Sequence, residues 1–348
     1  MEFVDLAAQQ QRLATELDRR MRGVLAHGRY IMGPEVRELE ERLASIVGVP
    51  HCITCASGTD ALFMALLARG IGSGDAVFTT PFTFFATAEV IALAGATPVF
   101  VDVDPRTYNL DPAALDEAVR ELVDGRPPTS GTPRGLRPRA VMPVDLYGLP
   151  ADYGRINAVA ARHGLTVIED AAQAFGGEQD GSRVGALAPL AATSFFPAKP
   201  LGCYGDGGAL FTADADLAGV LRSLRAHGTG AHKYDNVRVG LNSRLDTLQA
   251  AILLAKLTVF ADELQRRQAV ARRYTRKLGD LVQVPHVPAG WRSAWAQYAV
   301  MVLQRDEVAG AMGRRGVPTM VYYPVPLHLQ PALAHLGYAR GKIGRAHV

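Results

Sequence analysis

Two rhythms alternate along residues 34–228: short runs that are apolar throughout, and longer segments with one apolar face. PEVRELEERLASIVG predicts an amphipathic helix that begins at Pro34, since proline's fixed φ and missing N–H suit a helix start. HCITCAS then predicts a strand and TDALFMALLARG a helix. DAVFTT, FATAEVIALAG, TPVFVDVD and DPAALDEAVRELV repeat the alternation, and AVMPVDLYG, DYGRINAVAARHG and TVIED continue it. Apolar strands separated by helices predict a mostly parallel sheet covered on both faces. ATSFFPA reads as a further strand, and LGCYGDGGALFT as a glycine turn into a returning one. The Pro/Gly-rich stretch 124–135, DGRPPTSGTPRG, reads as a surface insertion.

After residue 228 the rhythm changes. Residues 246–281 are nearly continuous helix, followed by QYAVMVL, DEVAGAMGRRG and VPTMVYYP as strand, helix and strand. The expected organisation is α/β: a large domain over 1–255, with an N-terminal helical segment, and a small α+β C-terminal domain over 256–341. The closing IGRAHV matches one reading frame of a common sequencing adapter. Residues 342–348 are therefore read as a non-native read-through tail, and the small domain as incomplete.

Length and charge narrow the function. The 348 residues suggest about two domains. A net charge of +3 gives no basic face for nucleic acid or an anionic membrane. The start MEFVDLAAQQ has no basic-then-apolar leader, and no 18-residue apolar run occurs, so a cytoplasmic protein is expected. Cys52 and Cys55 form a CxxC, but no second pair completes a zinc site; they read as small apolar strand residues, and no metal is expected.

Of the 37 basic residues 32 are arginine, and Lys199 is the first lysine in the chain. It follows a strand and precedes a glycine-rich loop, as a surface turn residue or a functional amine. Three other features bear on the choice. Asp170 ends the strand TVIED, and ligands of open α/β sheets bind beyond the carboxyl ends of strands. Ser57 caps a helix opened by Gly58 and Thr59, which is either simple capping or a phosphate site at a positive helix end. TPFTFFATAEV places phenylalanines after another strand; most such rings are core, and one facing the cleft could stack on a flat ring. Together they suit pyridoxal 5'-phosphate: a lysine for a Schiff base, an acid for the pyridinium nitrogen, a helix start for the phosphate and an aromatic cover.

On these residues the chain resembles the DegT/StrS-type nucleotide-sugar aminotransferases, through GTDAL, PFTFFAT, DLYG, VIEDAAQ, SFFPAKPLGCYGDGG and GLNSRLDTLQAA. The resemblance implies an aspartate aminotransferase-like fold (fold type I). EFVDLAAQQ and HGRYIMGPEVRELEERLA look most like the enzymes that aminate C3 of a UDP-2-acetamido-2-deoxy-3-oxo-hexuronic acid with glutamate, in making a surface glycan such as lipopolysaccharide. Carried over, Lys199 and Asp170 are catalytic. Gly58, Thr59 and Ser194 hold the phosphate, Phe84 stacks on the ring, and Gln173 lies by its hydroxyl. Asn242 reaches the phosphate from the partner subunit of a homodimer, and Tyr30, Arg244, Tyr322 and Tyr323 are substrate residues. Tyr322 stands where the family usually has histidine, which leaves a 4-keto UDP- or dTDP-sugar as an alternative acceptor. Sugar dehydratases of the family replace the Schiff-base lysine with histidine, and a regulatory relative would lose Lys199 or Asp170; neither holds here.

Overall fold

The computed structural model describes residues 4–232 and 234–344. Helices α1 (Leu6–His27) and α2 (Pro34–Val47) lead into strand β1 (His51–Cys55) and helix α3 (Gly58–Ala68). Then come β2 (Asp75–Thr79), α4 (Ala86–Leu93), β3 (Thr97–Phe100), α5 (Pro112–Val123), β4 (Arg137–Met142), α6 (Tyr153–His163) and β5 (Thr166–Asp170). Two short strands, β6 (Glu178–Gln179) and β7 (Ser182–Arg183), precede β8 (Leu190–Ser194), β9 (Gly208–Thr212) and α7 (Ala215–Leu224). Helix α8 (Thr247–Leu278), strand β10 (Trp291–Arg292) and helix α9 (Arg305–Arg314) follow. Local chemistry sets many of these starts. Pro34 and Pro112 occupy first-turn positions, and the side chains of Asp5, Ser57, Asp111, Asp152 and Asp214 accept from first-turn N–H groups.

Seven strands form one sheet in the order β1-β9-β8-β5-β4-β2-β3. The run from β8 through β5, β4 and β2 to β3 is parallel, and β9 runs antiparallel between β1 and β8. Alternate side chains serve opposite faces, as the period of a strand requires. Ile53, Val77, Met142, Ile168, Leu190 and Leu210 face one cluster with α3 and α7. Phe78, Val141 and Val167 pack with α5 and α6, while Cys52, Ala191 and Phe211 pack with α2 and α8. Both faces are thus covered, which explains why the strands read as unbroken apolar runs. Cys52 and Cys55 are buried, unbridged core residues of β1, with their thiols pushed up by burial.

Two expected strands are absent. QYAVMVL and VPTMVYYP form no ladder; the first makes only an isolated bridge, Met301 to Gln283. A strand needs a neighbour, and these segments run along a cleft with Val300, Leu303 and Met320 exposed. The surface stretch 124–135 is braced: Thr129 Oγ1 donates to Leu336 O, and a Cβ on Gly131 would fall 2.6 Å from His335 O. Leu327, Leu333, Leu336 and Ile343 pack with Phe82, Phe100 and Leu146 at the large sheet. Residues 345–348 of the expected tail lie outside the described residues.

Candidate active site

The carboxyl ends of β5 and β8 and the start of α3 converge. Asp170, the last residue of β5, is buried at 3% exposure. Thr87 Oγ1 donates to its Oδ2 at 2.9 Å and Ala172 N to its Oδ1 at 3.2 Å. Burial raises its pKa, while these two hydrogen bonds and the charge of Lys199 oppose the rise. An aligned buried carboxylate whose two bonds do not offset its desolvation suits a cationic N–H partner.

Lys199 reaches the same place from the end of β8. Its loop is closed by backbone bonds: Phe195 N to Gly207 O at 2.7 Å, Lys199 N to Phe196 O at 2.9 Å and Cys203 N to Phe195 O at 2.7 Å. The fold is so tight that a Cβ on Gly202 would meet Pro197 O at 2.5 Å. Burial lowers the pKa of the Lys199 amine, and Asp170 acts against that shift. A lowered pKa raises the fraction of free amine, the form that attacks a carbonyl. Behind the loop, Lys256 is buried with its Nζ 4.4 Å from the centre of the Tyr204 ring, and burial brings its pKa down to about 8.

The start of α3 abuts the end of β8. Ser57 Oγ accepts from Asp60 N at 3.0 Å, and a Cβ on Gly58 would lie 2.6 Å from Ser194 Cβ. Glycine is needed for that approach. It brings the opening turn of α3, whose first N–H groups have no partner within the helix, beside the Ser194 side chain, where an anion can be received. The residues present therefore fit pyridoxal phosphate: an amine, an aligned carboxylate and an anion cradle lie at neighbouring strand ends.

The phenylalanines of PFTFFAT divide. Phe82 is 7% exposed and packs edge-on against Tyr147 and Tyr323, whereas Phe84 is 58% exposed and does not line the cleft described below. Gln173 is buried; its Oε1 accepts from Tyr147 N at 2.9 Å and its Nε2 donates to Tyr323 OH at 3.3 Å. Tyr147 OH donates to Tyr322 O. Lys199, Phe82, Tyr108, Tyr147, Tyr322 and Tyr323 line a cleft of about 1520 Å³.

Tyr30, Asn242 and Arg244 form a separate group. Asn242 is exposed and accepts from Arg244 Nη2 at 2.5 Å; Tyr30 is 48% exposed, and its carbonyl accepts from Thr247 N at 2.8 Å. None of the three lines the cleft. The loop of Asn242 and Arg244 is fixed from behind, where Ser243 Oγ accepts from Ala56 N at 3.3 Å.

Sequence reasoning misses Thr87, which aims Asp170, and Asp145 and Glu169, which lie buried beside it. Glu169 accepts from Gly185 N at 2.6 Å and Leu187 N at 3.0 Å, and Asp145 from Ala151 N at 2.9 Å. Burial, and then the charge of Glu169, raise the pKa of Asp145. A hydroxyl inside an apolar helix and acids within strand-end motifs carry no local signal for these contacts. Among the described residues no group of three metal-ligating side chains occurs, and no helix is long and apolar enough to cross a membrane.

Residues 11–347 match the DegT/DnrJ/EryC1/StrS aminotransferase family. A UDP-2-acetamido-2-deoxy-3-oxo-D-glucuronate aminotransferase of Pseudomonas aeruginosa is 50% identical over 335 residues, covering 96% of this chain and 89% of the relative. The solved structure of a DegT DnrJ EryC1 StrS aminotransferase from Brucella abortus is 52% identical with a TM-score of 0.94, covering 99% of this chain and 91% of that one. That of NtdA from Bacillus subtilis, with bound cofactor PMP, is 29% identical with a TM-score of 0.85, covering 97% and 76%.

Proposed function

Because the chain belongs to the DegT/DnrJ/EryC1/StrS aminotransferase family and is a pyridoxal-phosphate enzyme, we propose that it moves an amino group from glutamate to C3 of a UDP-2-acetamido-2-deoxy-3-oxo-hexuronic acid. The observation that carries the chemistry is the meeting of Lys199, Asp170 and the Gly58–Ser194 cradle at neighbouring strand ends. The half-identical Pseudomonas aeruginosa relative supports the acceptor.

Pyridoxal phosphate, when bound, supplies an electron-accepting ring that stores the amino group between donor and acceptor. The residues of this chain do the rest. The Asp170 carboxylate, aligned by Thr87 and Ala172, keeps a proton on the ring nitrogen so that the ring accepts electrons. Lys199 Nζ, largely desolvated, anchors the cofactor and then carries a proton off and onto the carbon that bears the amine. The N–H groups of Gly58 and Thr59 and the Ser194 hydroxyl would hold the phosphate, Phe84 would cover the ring, and Gln173 would meet its hydroxyl. Tyr30, Arg244, Tyr322 and Tyr323 contact the sugar nucleotide. Asn242 completes the phosphate site of the partner subunit in a homodimer, and the exposure of its side chain supports that use. The enzyme works in the cytoplasm, and its product feeds the making of a surface polysaccharide.

The test is amine transfer from glutamate to a panel of 3-keto and 4-keto UDP- and dTDP-sugars. The expected result is highest kcat/KM with the 3-keto UDP-hexuronic acid. Preference for a 4-keto sugar overturns the acceptor assignment, and failure of glutamate to bleach the cofactor's violet absorbance overturns the donor.

A further inference from the structure

Three arginines line the cleft: Arg266, Arg267 and Arg305. Two are exposed and already paired, Arg266 Nε with Asp262 Oδ2 at 2.8 Å and Arg305 Nε with Asp306 Oδ1 at 2.9 Å. Arg267 differs. It is only partly exposed, and among the described residues no carboxylate lies within ion-pair distance of it. The acid one turn before it, Glu263, accepts from Gln9 Nε2 at 3.0 and 2.8 Å instead. Burial lowers the pKa of Arg267, with Glu263 acting weakly against it, as expected of a charge the chain leaves undercompensated.

The guanidinium is also held in place. Its Nη1 donates to Trp295 O at 2.9 Å. Trp295 Nε1 donates to Gln268 Oε1 at 2.9 Å, so helix α8 and the tryptophan fix each other. The same loop is bonded to the wall of the reaction cleft, through Ala294 N to Gly148 O at 2.8 Å and Gln297 N to Tyr147 O at 3.3 Å. Tyr147 in turn donates its N–H to Gln173. A guanidinium has five N–H donors in a planar fork, so with one engaged on Trp295, four remain for a ligand.

We propose that Arg267 binds a reactant carboxylate in this cleft. A planar fork with its charge uncompensated, its orientation fixed and its free donors beside the cleft matches a carboxylate's two oxygens. The inference rests on the aminotransferase reading, in which both the amino donor and the sugar acid carry such a group.

Separate half-reactions test it, followed by cofactor absorbance in the Arg267→Gln and Arg267→Lys holoenzymes. The parent must run both half-reactions; if it does not, the aminotransferase reading fails, whatever Arg267 does. In Arg267→Gln the half-saturating concentration of one carboxylate-bearing reactant is expected to rise roughly 10- to 100-fold, since the lost bonds are charge-assisted. Its limiting rate should change much less, because a binding contact made equally before and during reaction leaves kcat in place. A rise with glutamate assigns the site to the donor. A rise with the keto-sugar acid, absent with the uncharged keto-sugar, assigns it to the acceptor. Calorimetric binding of glutarate, which cannot react, should weaken in parallel if the donor is the ligand. Arg267→Lys keeps the charge and loses the fork, and should fall between parent and Arg267→Gln; if Arg267→Gln does not fold, a rise of about 5-fold or more in Arg267→Lys decides the matter. The proposal is overturned if neither half-saturating concentration moves, or if the uncharged sugar is weakened as much as the acid.

Discussion

The two groups of site residues are built in opposite ways. Lys199, Asp170, Gly58 and Ser194 are placed by backbone: strand ends, a capped helix and a loop closed by three main-chain bonds. Asn242 and Arg244 lie on the loop before α8 and bond to each other, and Tyr30 is half-exposed on the separate loop between α1 and α2. The first group is desolvated by its own chain, which lowers the pKa of the Lys199 amine and raises that of the Asp170 carboxyl. A centre finished by its own main chain can carry chemistry common to a family, while a rim of free side chains is where a substrate or a second subunit can be accommodated.

Breaking the centre should have the largest effect. Lys199→Ala is expected to leave no measurable turnover while the protein still takes up cofactor reversibly, and borohydride should fix the cofactor's mass on the Lys199 peptide of the parent. Fixation on Lys256 instead would move the centre to the far side of the Tyr204 loop. Asp170→Asn should retain cofactor but lose rate by on the order of 10² or more, because the amide cannot hold the ring proton. Near-parental turnover would reduce Asp170 to a strand-end acid.

Breaking the rim sharpens the contrast. If Asn242 serves the other subunit, inactive Lys199→Ala and inactive Asn242→Ala proteins regain activity when they exchange subunits. Random mixing makes about half the dimers mixed, each with one intact site of two, so roughly a quarter of parental activity should return. Exchange seen by mass with no activity would place Asn242 in its own chain's site.

The smallest effect concerns Lys256, behind the centre. Its pKa is lowered from 10.5 to about 8 in the folded chain. Between those values the unfolded chain holds a proton that the folded chain has released, so this residue makes stability rise with pH; below pH 8 the burial penalty is fully present. The melting temperature of the parent, measured against Lys256→Met, should therefore rise by about 2–4 °C from pH 7 to pH 10. A flat difference would mean that Lys256 titrates as an exposed lysine.

The sheet and the centre were largely legible because their signals are local: apolar runs, a proline at a helix start, a serine cap, an acid and a lysine at strand ends. Asp170 and Lys199 can be found this way without knowing what lies between them. The hydroxyl of Thr87 cannot, since its partner is 83 residues away in sequence. Nor can the fate of QYAVMVL and VPTMVYYP be read, because an apolar β-branched run states a preference for a ladder and not the presence of a neighbour. Arg267 hides for a third reason: in a chain this rich in arginine nothing local in the sequence marks the one whose guanidinium is bonded to Trp295 O beside the cleft.

The stitching of the cleft wall has a mechanical side. Residues 298–321 run between two fastenings on Tyr147, Gln297 N on its carbonyl and Tyr322 O on its hydroxyl, and are tied in between to Gln283 through Met301 N and to Thr275 through the Tyr298 hydroxyl. Helix α9, which buries none of its residues, is the outermost part of this span. A span pinned at both feet on one tyrosine has little freedom to slide. Tyr147, standing on Gln173, is thus the common foot through which a load on the span and the centre of the site bear on each other.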